Sequence, residues 1–431
     1  MKKKSLLYII FCVALLSTEF FYIEILGGLR PYHLISPIVI LLLFRYFSHI
    51  ARSGVFWVLM AFLTINLIAT LFAEAPTRAL LSFGLLLANV SLAISIALII
   101  VSGRIDIDDI FRIALVAAVF SILFGASQLA VYKTIGVNLG LSEFQALQIE
   151  AGFSSGLRTE ANAFAKSLNI LFLLNFPIFL ASKNSKRALF IAFILIIGML
   201  LSLTRSTLYG MSLTLMLVYL WYLVQGKGRF IAPRPLILIL IASLALFVFS
   251  IFADQFNEYA THKLITFFNK EEILEGGSSG FRLMSQKILI DTFMSSYKTQ
   301  IIGTGWGQVK FFAFDQEMSA GGGELITALT YGGIFSGILY LLYNITAIYI
   351  AWKRATKTPK NQKKRLLYEG VTFALIGTMI TGQINGALIL PDYWMLFGMA
   401  IALSYKTSTL YRSKNKKSGP NQPTSPTRYH L

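Results

Sequence analysis

Charged side chains are scarce in this sequence. They make up 13% of the 431 residues, whereas hydrophobic side chains make up 56%. Soluble domains carry about 25% charged residues. So few charges cannot cover the surface of a soluble protein of this length. Apolar runs of about twenty residues recur along the whole chain, and this pattern indicates a membrane protein.

Cysteine and histidine are scarce as well. The single cysteine, Cys12, excludes a disulfide within the chain and gives no support to a thiolate metal site. The four histidines lie far apart and show no ligand spacing: His33, His49, His262 and His430. We therefore expect neither a metal nor a cofactor.

The apolar runs predict an all-α polytopic membrane protein with about twelve transmembrane helices. Residues 1–406 would form the transmembrane domain, and the tail 407–431, rich in Lys, Ser, Pro and Asn, is predicted to be disordered. The first run has no clear cleavage site, so we expect an uncleaved helix rather than a signal peptide. The predicted spans are 5–26, 32–48, 54–73, 79–101, 110–132, 161–182, 188–204, 206–225, 235–253, 324–352, 366–387 and 392–406.

The formal net charge is +18. In a soluble protein this charge would suggest nucleic acid. Here most Lys and Arg residues lie in short segments on one side of the predicted helices, which is the pattern of the positive-inside rule. We therefore predict that both termini are cytoplasmic, that the partner surface is the lipid bilayer, and that nucleic acid is not a partner.

Two predicted outer segments are long, about 133–160 and 254–323, and all other connections are short. Long loops in compact proteins are usually functional, so the functional face is predicted to be the outer one. Residues 281–297 of the second segment have apolar side chains near one helical face. They predict a helix that lies on the outer membrane surface or packs against its own bundle.

Three arginines lie where outer loops meet helices: Arg158, Arg205 and Arg282. The planar guanidinium fork donates two parallel hydrogen bonds to phosphate and keeps its charge. Arginines that converge from separate loops would suit a pyrophosphate. For each arginine alone, the alternative is snorkelling to the headgroups or pairing with a carboxylate.

Glu160 and Glu324 are candidate general bases near the predicted outer surface. Glu324 opens a helix, where a negative charge is favourable without any catalytic role, so a structural role is the alternative for both carboxylates. The glycine-rich stretch 303–307 lacks the Lys-Ser/Thr pair of a phosphate loop, and a turn is expected there. No chain of buried acids or histidines suggests a proton relay, which argues against an ion-coupled transporter.

The order of these elements resembles the superfamily of O-antigen polymerases and O-antigen ligases. The resemblance covers about residues 150–340 by motif and the whole chain by topology. The matching elements are Gly156-x-Arg158-x-Glu160-x-Asn162, Thr204-Arg205-Ser206, Gly280-Phe281-Arg282, Ile302-Gly303-Thr304-Gly305, and a helix that opens with Glu324-Leu325 and carries Tyr331-Gly332-Gly333-Ile334 and Gly337.

This resemblance implies a metal-independent glycosyltransferase with a GT-C-like fold in the bacterial inner membrane. Its substrate would be an oligosaccharide on undecaprenyl pyrophosphate at the periplasmic face. A polymerase of O-antigen, capsule or exopolysaccharide would move the growing chain onto the next lipid-linked repeat unit, and a chain-length regulator is a candidate partner. A ligase would move the chain onto lipid A–core. Ligases typically carry a histidine where this chain has Gly321 and Gly322, which favours a polymerase.

The predicted mechanism assigns the three arginines to the donor pyrophosphate, where they neutralise the charge of the leaving group. Glu160 or Glu324 would take the proton from the acceptor hydroxyl. A flippase for lipid-linked oligosaccharides is the main alternative of another class, and it would carry its cations inside a central cavity. A nonenzymatic scaffold is the third.

Overall fold

The computed structural model describes residues 31–158, 160–181, 185–202, 204–224, 277–313, 316–319, 322–359, 363–384, 386, 388 and 390–417. The predicted spans 5–26 and 235–253 lie outside these residues. So do the beginning of the second outer segment, 254–276, and the end of the tail, 418–431.

The described residues are almost entirely helical. In chain order the helices are α1 (Pro31–Leu42), α2 (Phe47–Ile50), α3 (Gly54–Leu71), α4 (Pro76–Val101), α5 (Ile107–Ile135), α6 (Glu143–Glu150), α7 (Ala161–Ala181), α8 (Ser185–Leu201), α9 (Arg205–Val224), α10 (Gly277–Met294), α11 (Tyr297–Ile301), α12 (Glu324–Lys357), α13 (Lys363–Ile384) and α14 (Pro391–Lys417). Between α11 and α12 lies an antiparallel hairpin of β1 (Lys310–Ala313) and β2 (Gln316–Ser319). The hairpin is the one departure from the all-α prediction within the described ranges.

Each predicted span that falls on described residues contains helix, although the span 32–48 is broken after Leu42. Five helices, α3, α4, α5, α7 and α12, are long and apolar enough to cross a membrane. The number rises to six if α1 and the segment Phe44–Ile50, which are bent by 69°, form one span. The described part of the chain is therefore compatible with a polytopic membrane protein.

The outward faces of these helices are apolar. In α3 the mean hydropathy is 2.1, yet only 44% of that window is buried inside the protein. Leu41, Leu81 and Phe190 are 74%, 71% and 62% exposed. A soluble monomer rarely presents so much contiguous apolar surface, whereas lipid covers it without cost.

Helix α7 lies at the centre of the bundle, with 89% of its apolar window buried. It packs against α13 and α8, while α12 packs against α3 and α13, and α14 packs against α4. Glycines permit the close approach of α13: a Cβ at Gly370 would lie 2.4 Å from the Leu174 carbonyl oxygen of α7. Small residues at such contacts are typical of helix packing in membranes.

Helix α12 is kinked at Gly333, whose φ is +75°. The kink leaves helical carbonyls without their usual partners, and the glycine-rich stretch 303–307 supplies donors. The backbone N–H of Thr304 donates to Thr330 O at 2.9 Å, and that of Gly305 donates to Tyr331 O at 2.9 Å. The predicted turn in this stretch is confirmed, and its structural role is to support the kink.

Two segments differ from their predicted limits. Helix α14 continues to Lys417, so residues 407–417 are helical where composition predicted a disordered tail. Lysine is a good helix former, and the first proline of the tail comes only at Pro420. The first outer segment contains the short helix α6.

Helix α10 confirms the helix predicted from the apolar stripe in the second outer segment. The stripe is divided between two faces, because Met284 is 52% exposed whereas Ile288 is half-buried and packs against the core. The buried face holds Ser285 and Leu289, and the Leu289 carbonyl accepts a hydrogen bond from the Thr330 hydroxyl of α12 at 3.0 Å. The helix thus packs on the bundle and also presents an apolar face to its surroundings.

Candidate functional site

The beginnings of α7, α9, α10 and α12 meet at one end of the bundle, next to the end of α13. Arg282 of α10 donates to the Ser206 hydroxyl of α9 at 3.4 Å. Lys166 of α7 interacts electrostatically with Glu324, the first residue of α12. The aligned peptide dipoles give the start of each helix a partial positive charge, so four such ends together favour an anion.

The turn before α7 is held firmly from two sides. Gly156 has φ +60°, and a Cβ there would lie 2.4 Å from the Ser121 hydroxyl of α5. The Ser121 hydroxyl accepts from the backbone N–H of Leu157 at 2.9 Å. On the other side, the Gln145 amide of α6 donates to Gly156 O at 2.6 Å and to Arg158 O at 3.0 Å. The glycine of the predicted motif is thus required by its backbone angle and by its lack of a side chain.

Arg158 leaves this turn toward α14 and forms an ion pair with Asp392. The two side chains are 7% and 14% exposed, and the Ser167 hydroxyl donates to the same carboxylate at 2.5 Å. Burial lowers the pKa of Arg158, while the charge of Asp392 opposes this shift. Because arginine is protonated at every working pH, Asp392 always faces a cation here. For each arginine, pairing with a carboxylate was the alternative to phosphate binding, and Arg158 shows this pairing.

We expect the replacement of Arg158 by Met to lower the free energy of unfolding by about 3–5 kcal/mol, because the Asp392 charge would stay buried without its partner. The double variant Arg158→Met with Asp392→Leu should recover most of that loss. The matched control is Arg112→Met, since Arg112 also pairs with an aspartate, Asp108, but is 60% exposed. Thermal unfolding of the purified variants measures all three, and equal losses at Arg112 and Arg158 would contradict the expectation.

Arg282 lies half-buried between α9 and the start of α7. Burial lowers its pKa, and the nearby carboxylate of Glu160 raises it. Its hydrogen-bond partner, Ser206, directly follows Arg205, the first residue of α9. The Arg205 side chain lies outside what the structure describes. Two of the predicted arginine positions therefore adjoin each other, while Arg158 is engaged with Asp392.

Glu324 is fully buried at the first position of α12. Its carboxylate accepts a hydrogen bond from Tyr340 at 2.5 Å, and Gln383 of α13 donates to the same tyrosine oxygen at 3.0 Å. Gln383 also accepts from the backbone N–H of Leu325 at 3.2 Å. A buried carboxylate is costly unless it is paired and hydrogen-bonded, so this arrangement is specific to the charged group.

Lys166 is the functional candidate that sequence reasoning missed. It is 5% exposed and donates to the Gly386 carbonyl at 2.5 Å. Its ammonium is attracted by Glu324 and Glu160 and repelled by Arg282. We name these four residues, Glu160, Lys166, Arg282 and Glu324, the charge cluster. The signal was available, because an ionisable residue inside a predicted span is a candidate functional group by itself.

The composition of the charge cluster does not suit a metal ion. Two of its members are cations, and the structure's described ranges hold no group of three or more His, Cys, Asp or Glu residues placed to bind one. Two cations beside helix N-termini suit an anionic ligand instead. The exposed carboxylate, Glu160, lies next to these cations and can accept a proton.

Gly382 of α13 provides the space for the Glu324 carboxylate. A Cβ at Gly382 would lie 2.6 Å from the carboxylate carbon. We expect Gly382→Ala to displace Glu324 and to lower the free energy of unfolding by about 1–3 kcal/mol. The control is Gly84→Ala, because Gly84 of α4 has no atom within 4 Å of its added Cβ and alanine favours a helix. Thermal unfolding of the two variants measures this difference, and equal stability would contradict the inference that Gly382 makes room for the Glu324 carboxylate.

No protein-family model and no curated protein matches the chain. The resemblance to the O-antigen polymerase and ligase superfamily therefore stays an expectation from the order of the sequence motifs.

Proposed function

We propose that this protein is a membrane glycosyltransferase that polymerises bacterial surface polysaccharide. In this proposal about twelve helices form a GT-C-like bundle in the inner membrane, with both termini in the cytoplasm. The charge cluster and the large outer loop face the periplasm. The donor is a growing glycan on undecaprenyl pyrophosphate, and the acceptor is a lipid-linked repeat unit.

The observation that carries the proposal is the charge cluster at one end of the bundle. Arg282 and Lys166 bring two cations to the starts of four helices. A diphosphate is the lipid-borne anion that needs several donors at once, and helix N-termini with an arginine fork supply them. The exposed carboxylate Glu160 interacts electrostatically with Arg282 and Lys166, so in this proposal a proton acceptor lies next to the anion.

The transfer step follows from this arrangement. An acceptor hydroxyl oxygen forms a bond to the anomeric carbon of the donor sugar, while the bond between that carbon and the pyrophosphate oxygen breaks. The electron pair leaves with undecaprenyl pyrophosphate, and the hydroxyl proton passes to a carboxylate. Arg282, with Arg205, binds the diphosphate as its charge increases. A fixed donor of this kind contributes about 3–4 kcal/mol to the transition state.

We assign different roles to the two carboxylates. Glu160 is exposed, so an acceptor hydroxyl can reach it, and it serves as the general base. Glu324 is fully buried and compensates the charge of Lys166, so it is a positioning residue. The direct contact between Arg158 and phosphate stays a prediction. In the structure Arg158 pairs with Asp392, and this ion pair holds the turn that precedes Glu160.

The test is a reaction of purified protein with a defined lipid-linked repeat unit. We expect a ladder of products for the wild type, also in EDTA, and no ladder for Glu160→Gln. Glu143→Gln is the control, because Glu143 is exposed on α6. If the wild type yields only unreacted repeat units, or transfers glycan only to added lipid A–core, the polymerase proposal is wrong.

One observation favours a second function. Lys166 is a buried cation inside α7, a helix that qualifies as a membrane span, and a flippase needs cations inside its bundle. However, Lys166 lies near the start of α7 rather than at its middle. Liposomes loaded with a fluorescent lipid-linked repeat unit distinguish the two functions, since a flippase moves the lipid across the bilayer and forms no product ladder.

A further inference from the structure

A cavity lies at the opposite end of the bundle from the charge cluster. It has a volume of about 540 Å³ and is bounded by α9, α12 and α13. Pockets that bind small molecules have volumes of about 300–1,000 Å³. Its walls include Trp221, Trp352, Ile345 and Ile376, and its polar groups include Arg365 and Glu369. Because α12 begins at Glu324 and passes this cavity near its other end, the cavity is separate from the proposed transfer site.

The length of the cavity along α13 is close to the thickness of one leaflet of a bilayer. On α13 its lining extends from Arg365 to Ile376. At 1.5 Å per residue this is about 16 Å along the helix axis. The hydrocarbon core of a bilayer is about 30 Å thick, so the cavity is as long as about half of that core. An acyl chain from the adjacent leaflet would fit its apolar length.

The polar end of the cavity is built to receive an anion. Arg365 uses its Nε to donate to Glu369 at 2.9 Å, and Tyr222 donates to the other oxygen of that carboxylate at 3.1 Å. The Arg365 side chain is only 11% exposed, yet its two Nη groups have no hydrogen-bond acceptor among the described residues. Each Nη group can donate to a phosphodiester oxygen in the fork geometry that arginine favours.

The sequence that leads to Arg365 favours a lipid of negative net charge. The segment 353–365 contains seven Lys and Arg residues and no acidic residue: Lys353, Arg354, Lys357, Lys360, Lys363, Lys364 and Arg365. Each cation near a membrane surface contributes about 1 kcal/mol to the attraction of anionic lipid. Aromatic side chains line the same region, since Trp221 and Trp352 lie 5.9 Å apart in an edge-to-face pair. Such aromatic residues are typical of the headgroup level.

We propose that this cavity binds one anionic phospholipid, with the phosphodiester on Arg365 and one acyl chain between α9, α12 and α13. The site does not depend on glycosyl transfer, so it holds whether or not the proposed function is correct. It requires only that these helices lie in a bilayer. The bound lipid would fill the cavity between α9 and the α12–α13 pair and would fix the position of α9, whose first residues adjoin the charge cluster.

Lipid retention by the purified full-length protein tests the proposal. The protein is reconstituted in phosphatidylcholine vesicles that contain equal amounts of phosphatidylglycerol and undecaprenyl phosphate. It is then extracted, and the lipids that stay bound are counted by mass spectrometry. We expect the wild type to retain one phosphatidylglycerol per chain. Arg365→Gln should reduce this retention about tenfold, as for the loss of a charge-assisted hydrogen bond.

Two further variants keep the test decisive. Ile348→Trp fills the cavity and leaves the Arg365–Glu369 pair intact, so it should abolish retention even if Arg365→Gln proves unstable. Arg112→Gln removes an exposed guanidinium that also pairs with a carboxylate, and it should retain lipid like the wild type. Unchanged retention in the Ile348→Trp variant would overturn the proposal. Retention of undecaprenyl phosphate in place of phosphatidylglycerol would overturn it as well.

Discussion

Replacement of Arg282 by Ala should convert long-chain surface polysaccharide to single repeat units in cells. Arg282 is the best-defined cation of the proposed diphosphate position. Its guanidinium donates a hydrogen bond to Ser206 of α9 and interacts electrostatically with Glu160 before α7. The loss of one fixed donor to a developing negative charge costs about 100- to 1,000-fold in rate. Electrophoresis of surface polysaccharide shows the outcome directly.

The control for this variant is Lys287→Ala. Lys287 is an exposed cation on the same helix, α10, so its loss changes the net charge equally without touching the cluster. Protein levels of both variants should equal that of the wild type. An unchanged ladder in Arg282→Ala at normal protein level would show that Arg282 has no role in transfer. Free lipid-linked polymer without surface sugar would indicate a ligase.

Replacement of Glu324 by Gln should destabilise the protein and abolish transfer together. Glutamine keeps the size and the acceptor oxygen for Tyr340 but removes the charge that attracts Lys166. The buried Lys166 ammonium then keeps only the attraction of Glu160 and its hydrogen bond to Gly386. The removal of one partner from a buried pair of opposite charges costs about 3–5 kcal/mol, and the remaining attraction of Glu160 should keep the loss near the lower value. Thermal unfolding and the product ladder of the purified variant measure the two losses.

A double-variant cycle separates charge pairing from a general packing defect. Lys166→Met combined with Glu324→Gln removes both charges, and stability should return to within about 1–2 kcal/mol of the wild type, since no uncompensated charge is then left at either position. Transfer should stay absent, because the cation is gone. If the two losses simply add, Lys166 and Glu324 do not interact, and the assigned role of Glu324 fails.

Most helices were predictable because their cause is local. The predicted span 54–73 is observed as Gly54–Leu71, and 110–132 as Ile107–Ile135, since apolar runs of membrane length fix the helix and polar residues end it. The hairpin was not predictable, because strands of four residues offer too few alternating positions to be recognised. Residues 407–417 were mispredicted because a lysine-rich segment suits a helix as well as a disordered tail.

The candidate site was predictable in its residue types but not in its pairs. Motifs at helix starts identified three of its residues, Glu160, Arg282 and Glu324. In the structure each of them interacts electrostatically with Lys166. The partner of Arg158 lies 234 positions away, and the carbonyl that binds Lys166 lies 220 positions away. No local pattern encodes such contacts, because they depend on how α7 and α14 pack.

The most direct test of the central claim is a structure of the protein with a bound lipid diphosphate. The account predicts a diphosphate at the shared end of α7, α9, α10 and α12. One phosphate oxygen should lie about 3 Å from the Arg282 guanidinium, with Arg205 on the same group. A diphosphate bound elsewhere, with Arg282 still on Ser206, would contradict the account.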